Sequence, residues 1–102
     1  MISILIPVFN TNCTQLVKQL QAQCELTGLV YEIIIADDAS TIPEIKSANS
    51  TLAAIKNVQY IELTNNIGRS AIRNYLASVA NQAYLLFIDD DMAMVDEEYI
   101  KR

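Results

Sequence analysis

The chain reads as an α/β domain: a Rossmann-like three-layer α/β/α arrangement around a parallel four-stranded sheet of order 3-2-1-4. Three observations predict the parallel α/β class, with the order 3-2-1-4 taken as a premise. Short apolar runs alternate with helical stretches, and strands alternating with helices imply a parallel sheet joined by right-handed crossovers. Runs one, two and four are apolar nearly throughout, as strands covered on both faces are. Two of them, YEIIIADD and AYLLFIDDD, stop abruptly in aspartates, at the strand ends where such sheets bind ligands.

The elements follow in order. Residues 2–8 form a short run with β-branched residues, bounded by Pro7 and Asn10, and read as a buried strand. Residues 11–26 carry an amphipathic helix, opened by the capping candidates Thr11 and Asn12 and stopped by Gly28. Residues 31–36 are a second buried strand. A second helix starts at Thr41-Ile42-Pro43-Glu44, where Thr41 and Glu44 have capping-box spacing and Pro43 suits the first turn. It runs to about residue 55, weakly, because Ser47, Asn49, Ser50 and Thr51 dilute its pattern. Residues 58–63 alternate apolar and polar like a strand near a sheet edge. Residues 68–81 form a third helix and 84–88 a fourth strand, and the acidic tail 92–102 begins a further helix with Val95, Tyr99 and Ile100 as anchors.

Size and composition bound the rest. The 102 residues make a single partial domain over 1–102. The net charge of −5 and the scatter of seven basic residues exclude a nucleic-acid surface, which needs clustered Lys and Arg. No apolar stretch reaches the roughly 20 residues of a membrane span, and the N-terminus lacks a basic leader. Cys13 and Cys24, eleven apart on one helix, stand roughly 16 Å from each other, too far for a disulfide. Cys24 shares an apolar stripe with Leu16, Val17 and Leu20, so packing explains it. Free thiols and no leader place the chain in the cytoplasm, or peripherally at the inner membrane face in a longer protein.

With strand order 3-2-1-4, strands one and four flank the switch point, and the segments after strands one, two and four converge there. Sequence-distant acids then become one site. In Asp89-Asp90-Asp91 the first and third side chains of an extended segment lie on one side. Two carboxylates with open positions beside them suit Mg2+ or Mn2+ shared with a ligand's phosphates. The alternative is an acidic turn capping a following helix. Asp37 and Asp38 either reinforce that cation site, accept from a sugar hydroxyl or base N–H, or form an Asx-type turn with Ser40 and Thr41. Arg69 lies in the first turn of the third helix, against its dipole, and Arg73 shares its face. Such a pair reaches a phosphate or the acidic cluster, or is a solvated stripe.

ISILIPVFN, EIIIADDAST, NNIGRSAIRN and AYLLFIDDDM, in this order, resemble the nucleotide-binding half of family 2 glycosyltransferases of the GT-A fold. The resemblance covers nearly the whole chain. It implies that Pro7, Phe9 and Asn10 line the base pocket, and that Asp38 contacts the uracil or ribose beside Asp37. It implies that Asp89 faces the ribose or metal and that Asp91 coordinates the cation bridging the diphosphate, so that Asp89 and Asp91 are the expected metal residues and Asp89 and Asp90 count among the cofactor-binding ones. The donor would be a nucleotide-diphospho-sugar, a UDP-sugar first among them, and the acceptor a glycan or lipid. Ala39 stands where the family has glycine, and Phe9 where tyrosine is common. Family domains are about twice this long, so the acceptor site and the general base of an inverting transfer are expected in a missing half. Asp96, Glu97 and Glu98 follow Asp91 too closely to supply that base, so the isolated fragment is expected to be inactive in transfer.

Two other readings compete. A non-catalytic remnant would act through self-association or partner packing at its bare fourth strand, as a homo-oligomer joined at that edge. A phospho-acceptor receiver domain would carry its acid pair after the first strand and a lysine beyond the last; here the pair follows the second, and no such lysine is present.

Overall fold

The computed structural model describes residues 1–88. Its strands are β1 (Ile2–Val8), β2 (Tyr31–Asp37), β3 (Val58–Glu62) and β4 (Tyr84–Phe87), and its helices α1 (Thr14–Thr27), α2 (Pro43–Ser50) and α3 (Arg69–Val79). A 3-10 turn, Thr51–Ala54, extends α2. The strands form one sheet of order β3-β2-β1-β4, and every pairing is parallel. The expected order is therefore the observed one.

Topology decides which helix covers which face. The chain steps from β1 to β2 to β3 in one direction, then returns across the sheet to β4. Right-handed crossovers then put α1 and α2 on one face and α3 on the other. The core divides accordingly. On one face Ile4, Ile6, Val8, Ile33 and Ile35 pack against Leu16, Val17, Leu20 and Cys24 of α1 and against Leu52. On the other, Leu5, Ile34 and Ala36 pack against Ile72 and Leu76 of α3. The period-2 alternation of a strand assigns the isoleucines to their faces. Both thiols are free and buried.

Helix ends follow local chemistry, with two corrections. Gly28 takes a left-handed conformation, φ 68°, as expected of a helix stop. However, α1 begins at Thr14, three residues later than the sequence suggests, because the Asn12 side chain accepts from the Thr14 N–H at 2.9 Å and closes a turn ahead of the helix. The capping box of α2 does not form: Ile42 occupies the cap without a side-chain bond, and Pro43 starts the helix. Thr41 is drawn instead toward Asn10, whose side-chain amide donates to its hydroxyl at 3.1 Å.

At the amino edge of the sheet, Glu32 gathers the α3–β4 connection. It accepts from the Ser3 hydroxyl at 2.5 Å, the Asn81 N–H at 2.6 Å and the Asn81 amide at 3.0 Å. Partial burial opposes its ionisation, but these bonds prevail and hold the carboxyl below its ordinary range. No helix among the described residues is long and apolar enough to cross a membrane.

Candidate functional site

The candidate site lies on the carboxyl edge of the sheet. Val8 and Asp37, the last residues of β1 and β2, stand opposite each other in register. The Asp38 N–H donates to the Val8 carbonyl at 2.8 Å, and the Leu63 N–H to the Asp37 carbonyl at 2.9 Å. Beyond the last β1–β4 pair, Leu5 with Phe87, the Ile88 N–H donates to the Leu5 carbonyl at 3.0 Å. So the chain entering Asp89 leaves β4 at the edge that carries Asp37 and Asp38. Asp89, Asp90 and Asp91 themselves, and the tail after them, lie outside the described residues.

Asp37 is 1% exposed, and its carboxylate is used internally. One oxygen accepts from the Ser40 N–H at 3.0 Å and from the Ser40 hydroxyl, and the other from the Tyr60 hydroxyl at 3.3 Å. Asp37 thus closes a side-chain-to-backbone turn on Ser40, in which neither Asp38 nor Thr41 takes part. Ala39 turns the corner with φ 61°, so the position where a glycine is expected does adopt the conformation glycine favours. Burial, then the charges of Asp37 and Glu62, raise the Tyr60 hydroxyl well above its ordinary pKa and keep it a donor.

Asp38 is 6% exposed and faces the other way along the edge. Its two oxygens accept from the main-chain N–H of Ile67 at 2.7 Å and of Gly68 at 3.1 Å, while its carbonyl accepts from the Asn66 amide at 3.0 Å. The bonds neutralise the N-terminal approach to α3. No cation reaches either aspartate among the described residues, whose ion pairs are Lys46–Glu62 and Lys56–Glu25. Among the described residues, hydrogen bonds are what hold these two carboxyl groups.

The loop after β1 is latched to the same corner. Asn10 sits at φ 54°, its N–H donating to the Ser40 hydroxyl at 2.8 Å and its side-chain oxygen accepting from Thr41 N–H at 2.8 Å and Ile42 N–H at 3.2 Å. Beside it Phe9 is 47% exposed, a large aromatic surface at the rim. Pro7 is half-buried two residues past the last β1–β4 pair, where its missing N–H interrupts no described ladder bond. Arg69, exposed at the first position of α3, makes no ion pair among the described residues. Arg73 is engaged elsewhere: its guanidinium lies over the Phe87 ring, 4.5 Å from the centroid.

The edge thus brings together Pro7, Phe9, Asn10, Asp37, Asp38 and Arg69, and sets Arg73 against β4. Among the described residues no three metal-ligating side chains cluster. Three participants were missed from sequence: Tyr60, hidden in an alternating strand, and the Ile67 and Gly68 amides, which carry no side-chain signal. The Asn66-x-Gly68 turn before a helix was the available hint.

Comparison with known proteins follows the same lines. The model of glycosyl transferase family 2 matches residues 3–102. A poly(ribitol-phosphate) beta-glucosyltransferase of Bacillus spizizenii is 37% identical over 99 residues, covering 88% of this chain; the chain spans only 14% of that relative's length. The crystal structure of S. aureus TarS 1-349 in complex with UDP superposes with a TM-score of 0.71 at 25% identity, over 88% of this chain and 27% of that one. A mannosyltransferase from Pyrobaculum calidifontis, in complex with GDP-Man and Mn2+, shares the fold at 17% identity, with a TM-score of 0.78 over 95% of this chain and 29% of its own. The sheet order and flanking helices are those of the GT-A fold. Sequence and architecture agree: the chain belongs to glycosyl transferase family 2.

Proposed function

We propose that this chain is the donor-binding part of a sugar transferase, taking a uridine-diphospho-sugar with Mg2+ or Mn2+ for transfer to a glycan or lipid acceptor. One observation carries the reading: both strand ends that lead into aspartates, β2 and β4, open on the same edge beside β1. The UDP and Mn2+ complexes of the two structural neighbours are those proteins' own, and they favour this class of ligand.

In this reading Pro7, Phe9 and Asn10 line the base pocket, with Asp37 and Asp38 at its floor. The exposed Phe9 ring offers a stacking face. Arg69 reaches the diphosphate, while Arg73 supports β4 from over Phe87. The described carboxylates do not form a cation site, since Asp37 and Asp38 spend their oxygens on Ser40, Tyr60, Ile67 and Gly68. The cation therefore falls to Asp89 and Asp91, whose hard oxygens suit Mg2+ or Mn2+, with Asp90 turned toward the ribose. A bound divalent ion would offset charge on the departing diphosphate. In this reading the residues named here bind the donor, and none of them is the general base of an inverting transfer.

Calorimetry with UDP, with and without Mn2+, tests the proposal. Metal-dependent binding that is lost in Asp91→Ala is expected. No binding, or binding indifferent to both metal and Asp91, would contradict it. A second reading, self-association, has one observation behind it: Tyr84 and Leu85 of the edge strand β4 are 70% and 43% exposed. Sedimentation of a monodisperse monomer at high concentration would dismiss it.

A further inference from the structure

We propose that Glu32, working with Ser3, is a positioning residue for the acidic segment that follows β4: from the amino edge of the sheet it fixes the register in which β4 pairs with β1. The inference rests on the cation-binding reading above and concerns what sets the level of those carboxylates along the sheet.

Among the described residues β4 is an edge strand. It pairs only with β1, from Ile2 opposite Tyr84 to Leu5 opposite Phe87, and Tyr84 and Leu85 are exposed. Its apolar pattern does not choose a register by itself. A slip of one residue is forbidden, since it turns every side chain to the other face. A slip of two keeps the faces. Moved two places toward the carboxyl edge, Tyr84 and Leu86 take the places of Leu86 and Ile88 on the α1 face, and Leu85 that of Phe87 on the α3 face. Each replacement is a large apolar or aromatic side chain. Moved the other way, Asp89 takes the place of Phe87, and a carboxylate enters an apolar layer at high cost. The run YLLFI therefore leaves one competing register open, displaced by about 7 Å, two rises of a parallel strand.

A polar row at the amino edge separates the two registers. Ser3 is fully buried and stands opposite Glu32 on β2 and Leu85 on β4. Its hydroxyl donates to Glu32 at 2.5 Å and accepts from the Gln82 N–H at 3.1 Å. Glu32 also accepts from the Asn81 N–H at 2.6 Å and from the Asn81 amide at 3.0 Å. All but the first of these bonds tie down the two residues just ahead of β4. The slip would carry Asn81 and Gln82 out of reach and leave the carboxylate and the buried hydroxyl with only each other. Selecting one register among near-equivalent apolar ones is the best-attested use of a buried polar group. Arg73 over Phe87 is a second anchor, farther along the strand. From Tyr84 the chain runs about 13 Å to Ile88, whose N–H still joins the ladder at Leu5. No loop intervenes, so a register fixed at the amino edge arrives unchanged at the carboxyl edge.

Two readouts on the 102-residue chain test this: nuclear Overhauser contacts between β1 and β4, and calorimetry with UDP with and without Mn2+. In the unmodified chain Leu5 pairs with Phe87. Glu32→Ala and Ser3→Ala should each create a population in which Leu5 pairs with Leu85. Both should cut the enhancement of UDP binding by Mn2+ about tenfold, the low end of what supporting residues contribute at metal sites. Should Glu32→Ala not fold, Ser3→Ala, which loses a single hydroxyl, carries the same test. Glu32→Gln should retain register and enhancement: its oxygen still serves Ser3 and the Asn81 N–H, and its NH2 meets the Asn81 side-chain oxygen once that amide turns over. Val17→Ala, a truncation in the α1 core, controls for lost stability and should also retain both. An unbroken Leu5–Phe87 pairing in both alanine variants of the row would overturn the inference. So would undiminished metal enhancement in a slipped variant, or an equal loss in Val17→Ala. If the unmodified chain does not bind UDP, the nucleotide reading falls, while the Leu5 pairings still decide whether Glu32 sets the register.

Discussion

Asn49 offers the sharpest quantitative test of how this fold holds its rim. It sits on α2, 1% exposed, and its side chain spans two elements. Its oxygen accepts from the Cys13 N–H at 3.0 Å, and its amide donates to the Thr11 carbonyl at 2.9 Å. These bonds fix the segment that leads from the Phe9–Asn10 loop into α1. Asn49→Ala deletes both, each worth about 1 kcal/mol, and takes the acceptor from a buried N–H at a further cost of about 1–3 kcal/mol. The total is about 3–5 kcal/mol, a large share of the roughly 5–15 kcal/mol available to a domain. At this size that corresponds to a fall in Tm of about 12–40 °C. Urea unfolding should show a lower midpoint with an unchanged slope. Asn49→Asp should be no milder: its first oxygen still serves Cys13, but its second faces the Thr11 carbonyl with a buried negative charge. The exposed neighbour Ser47→Ala sets the surface baseline, within about 0.5 kcal/mol. An Asn49→Ala loss no larger than that baseline would refute the argument.

Further outcomes follow from the same structure. Ala39→Gly should raise the urea midpoint slightly, because relief of a left-handed alanine, about 1–2 kcal/mol, exceeds the added unfolded-state freedom of about 0.4–1 kcal/mol. A destabilised variant would mean the corner is not strained. Glu32, held below its ordinary value of 4.5, contributes stability above that pH which is lost as pH falls through its lower folded value. Acid titration of Glu32→Gln should therefore lack that portion of the stability loss seen in the wild type. Burial, then the Glu25 charge, push the Cys24 thiol up to about 11, so a thiolate-selective alkylating reagent should leave it unmodified at pH 8 while the fold is intact. Its contribution to stability is present below the ordinary thiol value of 9.0 and fades as pH rises toward 11.

The architecture was legible because it rests on period and punctuation. Four apolar runs and the Gly28 stop suffice for the elements and the parallel sheet; with the order 3-2-1-4 taken as a premise, the right-handed rule gives the helix layers. The edge on which Asp37 and Asp38 appear follows from that topology alone. The helix starts were less legible, since Asn12 and Thr41 carry side chains that serve several competing partners. Thr41 answers Asn10, a residue 31 positions away, and no local pattern reports that. Asn49 shows the same effect: a polar residue that weakens a helical pattern is here the buried tie between two elements. The roles of Asp37 and Asp38 depended on Tyr60 and on two main-chain amides. The Ala39 corner was legible only through the resemblance, which has glycine at this position, since an alanine by itself gives no sign of a left-handed turn.

In the proposed function, nucleotide and cation meet on the carboxyl edge of the sheet. Paramagnetic broadening by Mn2+ in the presence of UDP, mapped across the amide spectrum, tests this most directly. Signals of Asn10, Asp38, Ser40 and Arg69 should broaden first, while Val30, Asn57 and Gln82 at the amino edge stay sharp. Broadening centred on the amino edge, or spread evenly over the molecule, would contradict it.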